Sequence, residues 1–332
     1  MKRLGSYVLC SRGLLALAVV ACSCYVSANY SAHSSGKNVF ETLFMHLMPA
    51  PLVKDPGAAH GEEEYLLELP LKVLPLEMPM LKKPVDFQQR IAPEVEYPYT
   101  TIYNVQIFQV ASVLLCLICL SGVPRYLRTQ RGDALTRMFA GFAMWIRDEM
   151  VYPTMGKELG RKFLPYFLSV FFFIAFMNLA GLAPHSATAT ANVWITAGMA
   201  TTTLLLMVGG GMIVQGPLAY WKNLVPHAPL ALVPLLFVVE VVGVLVKPFA
   251  LTIRLFANMT GGHMVVLSFM GLIFFLAAPE RYGQGVGWGV APLAAGIGVF
   301  IMIVEAFVAL LQAFIFTQLS IIFIQGSLHP DH

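Results

Sequence analysis

The chain has 332 residues, 58% of them hydrophobic and 12% charged, with a formal net charge of +3. Soluble domains carry roughly 25% charged residues, so this composition points to a polytopic membrane protein and excludes an ordinary soluble domain. The charge is too small to argue for nucleic acid as a partner, and five cysteines do not suggest a disulfide framework.

Residues 1–36 contain no Asp or Glu but carry Lys2, Arg3 and Arg12, several serines and an apolar run over 14–22. Such a start suits either an organelle import presequence or a secretory signal, and the local pattern does not decide between them. Residues 38–100 change character: Glu62, Glu63 and Glu64 form an acidic cluster, prolines recur, and no apolar run reaches spanning length. An extended or weakly ordered segment is expected here, with a short amphipathic piece over 40–48. Residues 1–100 therefore read as leader and Pro-rich, acidic extension, with cleavage left open. Residues 101–332 read as the membrane domain.

Residues 105–123 predict a first span, followed by Pro124 and the basic residues Arg125, Arg128, Arg131 and Arg137. Cys116 and Cys119 fall inside that span and read as small buried hydrophobes. Over 138–150, Phe139, Phe142, Trp145 and Ile146 are set against Arg147, Asp148 and Glu149, which predicts an amphipathic helix in the interface. Spans follow at 164–182, with Asn178 near its end, and at 193–214, where small residues let helices approach. Lys222, Pro226 and Pro229 mark a loop. Two long apolar stretches close the chain, 230–279 and 290–326, separated by a Gly-rich turn at 280–287. The basic loop 124–162 is expected on the cytoplasm-equivalent side, which puts the loop 183–192 and the turn opposite. At a rise of ~1.5 Å per residue the last two stretches are ~54–75 Å long, against a hydrocarbon core of ~30 Å. They must run steeply inclined or break, with Pro248 and Gly261-Gly262 as candidate bends. The fold class is thus all-α and polytopic, with an interfacial amphipathic helix and a long, tilted C-terminal helix hairpin.

Full charges are rare in the two long stretches: Glu240, Lys247 and Arg254 in the first, Glu305 in the second. A guanidinium does not lose its proton, and holding it at bilayer depth costs at least ~2.5–3.5 kcal/mol. Snorkelling to the headgroups is disfavoured because apolar sequence continues on both sides of Arg254. Folded as an antiparallel hairpin about Gly283-Gln284, the stretches set Arg254 opposite Gln312 and His263 opposite Glu305. Glu240, Lys247 and Arg254 are spaced by seven and share a helix face, with Asn258 one turn on. His263 is nine residues beyond Arg254 and turns to the opposite side. Three depths emerge: Glu240 nearer the basic side, Arg254, Asn258 and Gln312 in the middle, His263 and Glu305 nearer the far side.

Carboxylates and imidazole relay protons. A permanent cation between two such groups stops a straight leak and draws a carboxylate into its ionised form. The chain has no spare carboxylate at the depth of Arg254, so the counter-ion is expected on another chain. Lys247 is expected to reach the headgroups or pair with Glu240, and His185 reads as a loop residue. No internal repeat favours a secondary transporter. No H-E-x-x-H, G-x-S-x-G or paired aspartates in the spans favour an intramembrane hydrolase. A purely structural subunit would leave the depth-matched charges unexplained.

Four stretches carry a family resemblance: Leu255-Phe256-Ala257-Asn258-Met259 after Arg254, Leu311-Gln312-Ala313-Phe314-Ile315-Phe316, Phe176 to Pro184 around Asn178, and Lys247-Pro248. Together they resemble the signatures of subunit a of F-type ATP synthases, over about residues 105–328. The resemblance implies a proton-translocating stator subunit that makes no ATP itself and needs no cofactor or metal. Arg254 would face a ring of c subunits, each with one essential carboxylate, with Gln312 close to it. His263 and Glu305 would line the inlet half-channel and Glu240 the outlet, with Asn258 on the proton path. Further partners implied are the peripheral stalk, the other membrane-sector subunits and the lipid bilayer. Many bacterial members carry the acid and the His in reverse order, so His263 with Glu305 resembles the mitochondrial order. That order implies the mitochondrial inner membrane, and residues 1–100, which have no counterpart in the family core and start without acids, resemble the import leader of a nuclear-encoded copy.

Overall fold

The computed structural model describes residues 2–31, 49–54, 66, 102–130, 132–183, 186–224, 233–277 and 284–328. The expected amphipathic piece at 40–48, the acidic cluster at 62–64, His185 and residues 280–283 of the expected turn lie outside the described residues, while 284–287, also expected in the turn, are helical. Among the described residues six helices are long and apolar enough to cross a membrane: Arg12–Tyr30, Asn104–Thr129, Ala134–Gly181, Val193–Gln215, Val233–Ala277 and Gly289–Leu328. Among the described residues there is no sheet, only two isolated bridges. The chain is an all-α polytopic membrane protein.

Helix α1 runs over Lys2–Tyr30. Its apolar run extends past residue 22 because the serines that follow satisfy themselves: Ser23 Oγ donates to the Val19 carbonyl at 2.8 Å. Ser23, Ser27 and Ser31, one turn apart, are buried. Helix α2, Asn104–Leu120, packs on α1. A short clasp ties their ends together. Val53 N–H donates to the Tyr30 carbonyl at 2.9 Å and Leu52 N–H to the Ile102 carbonyl at 3.0 Å. The Asn104 side chain accepts from Ala50 N–H at 3.1 Å.

Short α3, Val123–Thr129, ends where Gln130 turns to φ 52°. Helix α4, Ala134–Trp145, leads through a π-helical turn at Ile146–Val151 into α5, Tyr152–Gly181. Gly156 breaks α5 near its start, with φ 72° and ψ 170°, a conformation that penalises any side chain. The sequence groups Phe139, Phe142, Trp145 and Ile146 as one lipid-facing surface, but the helix divides them. Phe139 and Ile146 are buried, Phe139 edge-on to Phe172 at 5.4 Å, while Phe142 and Trp145 stay exposed. Phe139 and Ile146 are seven residues apart and share one helix face, while Phe142 and Trp145 turn progressively away from it.

Helix α6, Val193–Gln215, starts where the Asn192 side chain accepts Trp194 N–H at 2.9 Å and stops at Gly216, whose φ is 90°. Helix α7, Pro217–Asn223, has proline in its first turn. The hairpin helices α8, Val233–Ala277, and α9, Gln284–Leu328, have 45 residues each. Neither Pro248 nor Gly261-Gly262 interrupts α8. At ~1.5 Å per residue each is ~68 Å long, more than twice a ~30 Å hydrocarbon core. Of the two options read from the sequence, a break is not adopted: each helix runs unbroken over its full length.

Helices α5 and α6 pack along one side of the hairpin. The core there joins Phe167, Phe171, Phe172 and Ile174 of α5 to Leu251 and Leu255 of α8 and Ala313 and Phe316 of α9. The other side is open and apolar, with Leu245, Phe249 and Ile253 of α8 and Phe300, Ile303 and Phe307 of α9 exposed.

Candidate functional site

The hairpin holds its charged residues on two different sides. His263 and Glu305 turn inward and meet: His263 Nε2 lies 3.5 Å from Glu305 Oε1, with side chains 17% and 5% exposed. Gly262 makes this approach possible, since a Cβ there would stand 2.6 Å from Glu305 Oε1. Gly262→Val is therefore expected to lower stability by about 1–3 kcal/mol through overpacking, read as a lower thermal midpoint of the purified protein.

A third group joins this pair. The Thr188 hydroxyl and His263 Nε2 share a hydrogen bond at 2.8 Å, its donor set by the imidazole tautomer. Thr188 precedes a 3₁₀ turn at Ala189–Ala191 in the connection between α5 and α6. Nothing in the sequence singles it out except hydroxyls alternating with alanines in a charge-free loop. Its contact also fixes the end of the bundle: His263 and Glu305 lie toward the 183–192 loop, as their depths require. At the opposite end, Gln215 Nε2 donates to the Ser327 carbonyl at 2.8 Å, and Asn223 Nδ2 donates to Gln215 Oε1 at 3.1 Å.

Arg254 lies on the open side and is exposed, flanked by exposed Ala250, Ala257 and Gly261. Among the described residues no carboxylate comes within ion-pair distance of it. Gln312, matched to it by depth, is 4% exposed, and its Nε2 has no hydrogen-bond partner. The two make no hydrogen bond with each other. Asn258 and Glu240 are half-buried. Lys247 does not pair with Glu240; its Nζ sits over the Phe323 ring, 5.7 Å from the centroid. This gives the cation a partner without a carboxylate.

Asn178 is fully buried and donates from Nδ2 to the Ala309 carbonyl at 3.1 Å. Its Oδ1, both Glu305 oxygens and the hydroxyls of Thr190 and Thr317 are buried without a hydrogen-bond partner. In an apolar interior a polar atom without a partner is costly. They line the interior of the hairpin and its supports, away from the open face that carries Arg254.

Comparison with known proteins agrees in extent with this helical region. The family model described as ATP synthase A chain matches residues 106–325. The ATP synthase subunit a of Anaeromyxobacter dehalogenans is 39% identical over 232 residues, covering 69% of this chain and 58% of that protein. That of Myxococcus xanthus is 37% identical over 194 residues, covering 57% and 61%. The ATP synthase subunit a 2 of Chlorobaculum tepidum is 36% identical over 226 residues, covering 68% and 62%. The chain thus spans about three fifths of the length of these bacterial relatives. With the family model matched from the start of α2 almost to the end of α9, the chain belongs to the ATP synthase A chain family.

Proposed function

We propose that this chain is the proton-conducting stator subunit of an ATP synthase membrane sector. One observation carries the reading: Arg254 stands exposed on the open hairpin face without an acid of its own chain. A permanent cation at membrane depth needs an anion, and the open apolar face gives a second protein room to bring one. The partner is a ring of c subunits, each presenting one carboxylate to Arg254.

In this reading protons enter past His263 and Glu305 and load a ring carboxylate. The ring turns almost fully around, the carboxylate meets Arg254, and the proton leaves past Glu240. Asn258 and Gln312 supply polar atoms beside the transfer point. The inward pair and the outward cation lie on different sides and at different depths, so neither half of the path crosses the membrane alone. The chain makes no ATP; it converts proton flow into rotation. The peripheral stalk and other membrane-sector subunits hold it still against the ring.

The order His263 then Glu305 and the acid-free start support a mitochondrial inner membrane and an import leader within 1–100, while the relatives described are bacterial. Helix α1, clasped to α2 through residues 50–53, supports retention of at least Arg12–Tyr30 after any cleavage. Edman sequencing of the assembled protein reads the mature N-terminus directly.

Cross-linking tests the partner. Ile253→Cys or Ala257→Cys, combined with a cysteine beside the ring carboxylate, is expected to give a disulfide-linked adduct in membranes. Absence of that adduct, with adducts forming instead from the α5-facing side of the hairpin, would overturn the assignment of the open face.

A further inference from the structure

The loop between α5 and α6 reaches into the bundle and touches the one imidazole of the proposed inlet. Thr188 Oγ1 lies 2.8 Å from His263 Nε2, while Glu305 Oε1 stands 3.5 Å from the same nitrogen. The first is a hydrogen bond; the second is slightly too long to be one. A single nitrogen thus faces two groups and is bonded to the hydroxyl.

The support for Thr188 is rigid. Its carbonyl accepts Ala191 N–H at 3.0 Å. Its methyl packs on Gly181, where an added Cβ would come within 3.0 Å of Thr188 Cγ2. Ala187, Ala189 and Thr190 beside it are buried, the alanines in a cluster with Val105, Phe108, Met177 and Ala180. The loop is therefore anchored on both α2 and α5. A hydroxyl both donates and accepts, so this one can serve either tautomer of His263 without moving.

We propose that Thr188 is a positioning residue of the inlet. Its hydroxyl holds the His263 ring with Nε2 toward Glu305, within a small displacement of direct contact. Without it, the largely buried ring loses its hydrogen-bond partner and turns away from Glu305. This inference rests on the reading of His263 and Glu305 as inlet groups.

The two halves of the Thr188 side chain make opposite predictions. Thr188→Val keeps the branched shape that packs on Gly181 and removes the hydroxyl. Thr188→Ser keeps the hydroxyl and removes the methyl. Each is assayed in the full complex as ATP-driven proton pumping per assembled complex, with His263→Ala and Thr188→Val/His263→Ala alongside. Thr188→Val is expected to slow pumping by roughly tenfold, the effect of one lost hydrogen bond, and Thr188→Ser to retain most of it. The double variant is expected to be no slower than His263→Ala. Thr188→Ala substitutes for Thr188→Val if the latter does not assemble. Normal pumping by a variant lacking the hydroxyl, or a greater loss in Thr188→Ser than in Thr188→Val, overturns the positioning role and assigns Thr188 to packing. Normal pumping by His263→Ala overturns the inlet reading itself, a result separate from either.

Discussion

Arg254→Ala is expected to reduce ATP-driven proton pumping by ~10- to 1000-fold while the complex still assembles. An opposite charge nearby favours the ionised form of a carboxylate by that range, and the ring carboxylate must release its proton as it passes this point. Removing the cation keeps the carboxylate protonated and removes the barrier between the half-channels. Two readouts follow from one cause: pumping driven by ATP falls, and passive proton leak through the membrane sector rises. A structural role alone accounts for lost pumping through poor assembly but not for a leak through a complex of normal abundance. Arg254 is exposed and outside the packed core, so its truncation leaves the fold standing. Wild-type pumping by Arg254→Ala would remove the basis of the proposed function.

The second large effect concerns His263 and Glu305. His263→Glu and Glu305→His are each expected to block the inlet, because each places two like groups at one point. The exchange made in both positions at once restores one acid facing one imidazole. Groups in direct contact are typically coupled by ~0.5–3 kcal/mol, so the double variant should pump ~2- to 150-fold faster than the product of the single effects predicts. The 3.5 Å separation of Nε2 and Oε1 is the physical basis. Gly262 limits the exchange, since it leaves room for a carboxylate on α9 and an imidazole is larger. Purely additive single effects would show that the two residues act in separate places.

The same contact shows what was legible in the sequence. Charged residues inside apolar runs are few, so Arg254, Glu240, His263 and Glu305 stood out, and the turn between the long stretches set the register that pairs His263 with Glu305. Seven-residue spacing puts Glu240, Lys247 and Arg254 on one face of α8, but of the three only Arg254 is exposed, with Lys247 turned onto Phe323 of α9. What stayed hidden depends on neighbours rather than on composition. Thr188 is a common residue in a loop; only the buried course of that loop brings it to His263. Gly262 reads as a bend, whereas in the fold it gives up volume to Glu305. Lys247 offers its charge to an aromatic face from α9, a partner 76 positions later in the chain. The length of α1 was obscured by serines, which lower hydropathy yet satisfy their own hydroxyls within the helix. Phe139 and Phe142 look equivalent by composition, but the bundle buries Phe139, which shares a helix face with Ile146 seven residues on, and leaves Phe142 exposed.

In the proposed function the counter-ion of Arg254 belongs to another chain. A map of the assembled membrane sector at side-chain resolution measures this directly. The account predicts a ring carboxylate approaching Arg254 from the open face of α8, with His263, Glu305 and Thr188 clustered on the other side of the hairpin. Arg254 paired with an acid of its own chain, or facing lipid at every ring position, would contradict it.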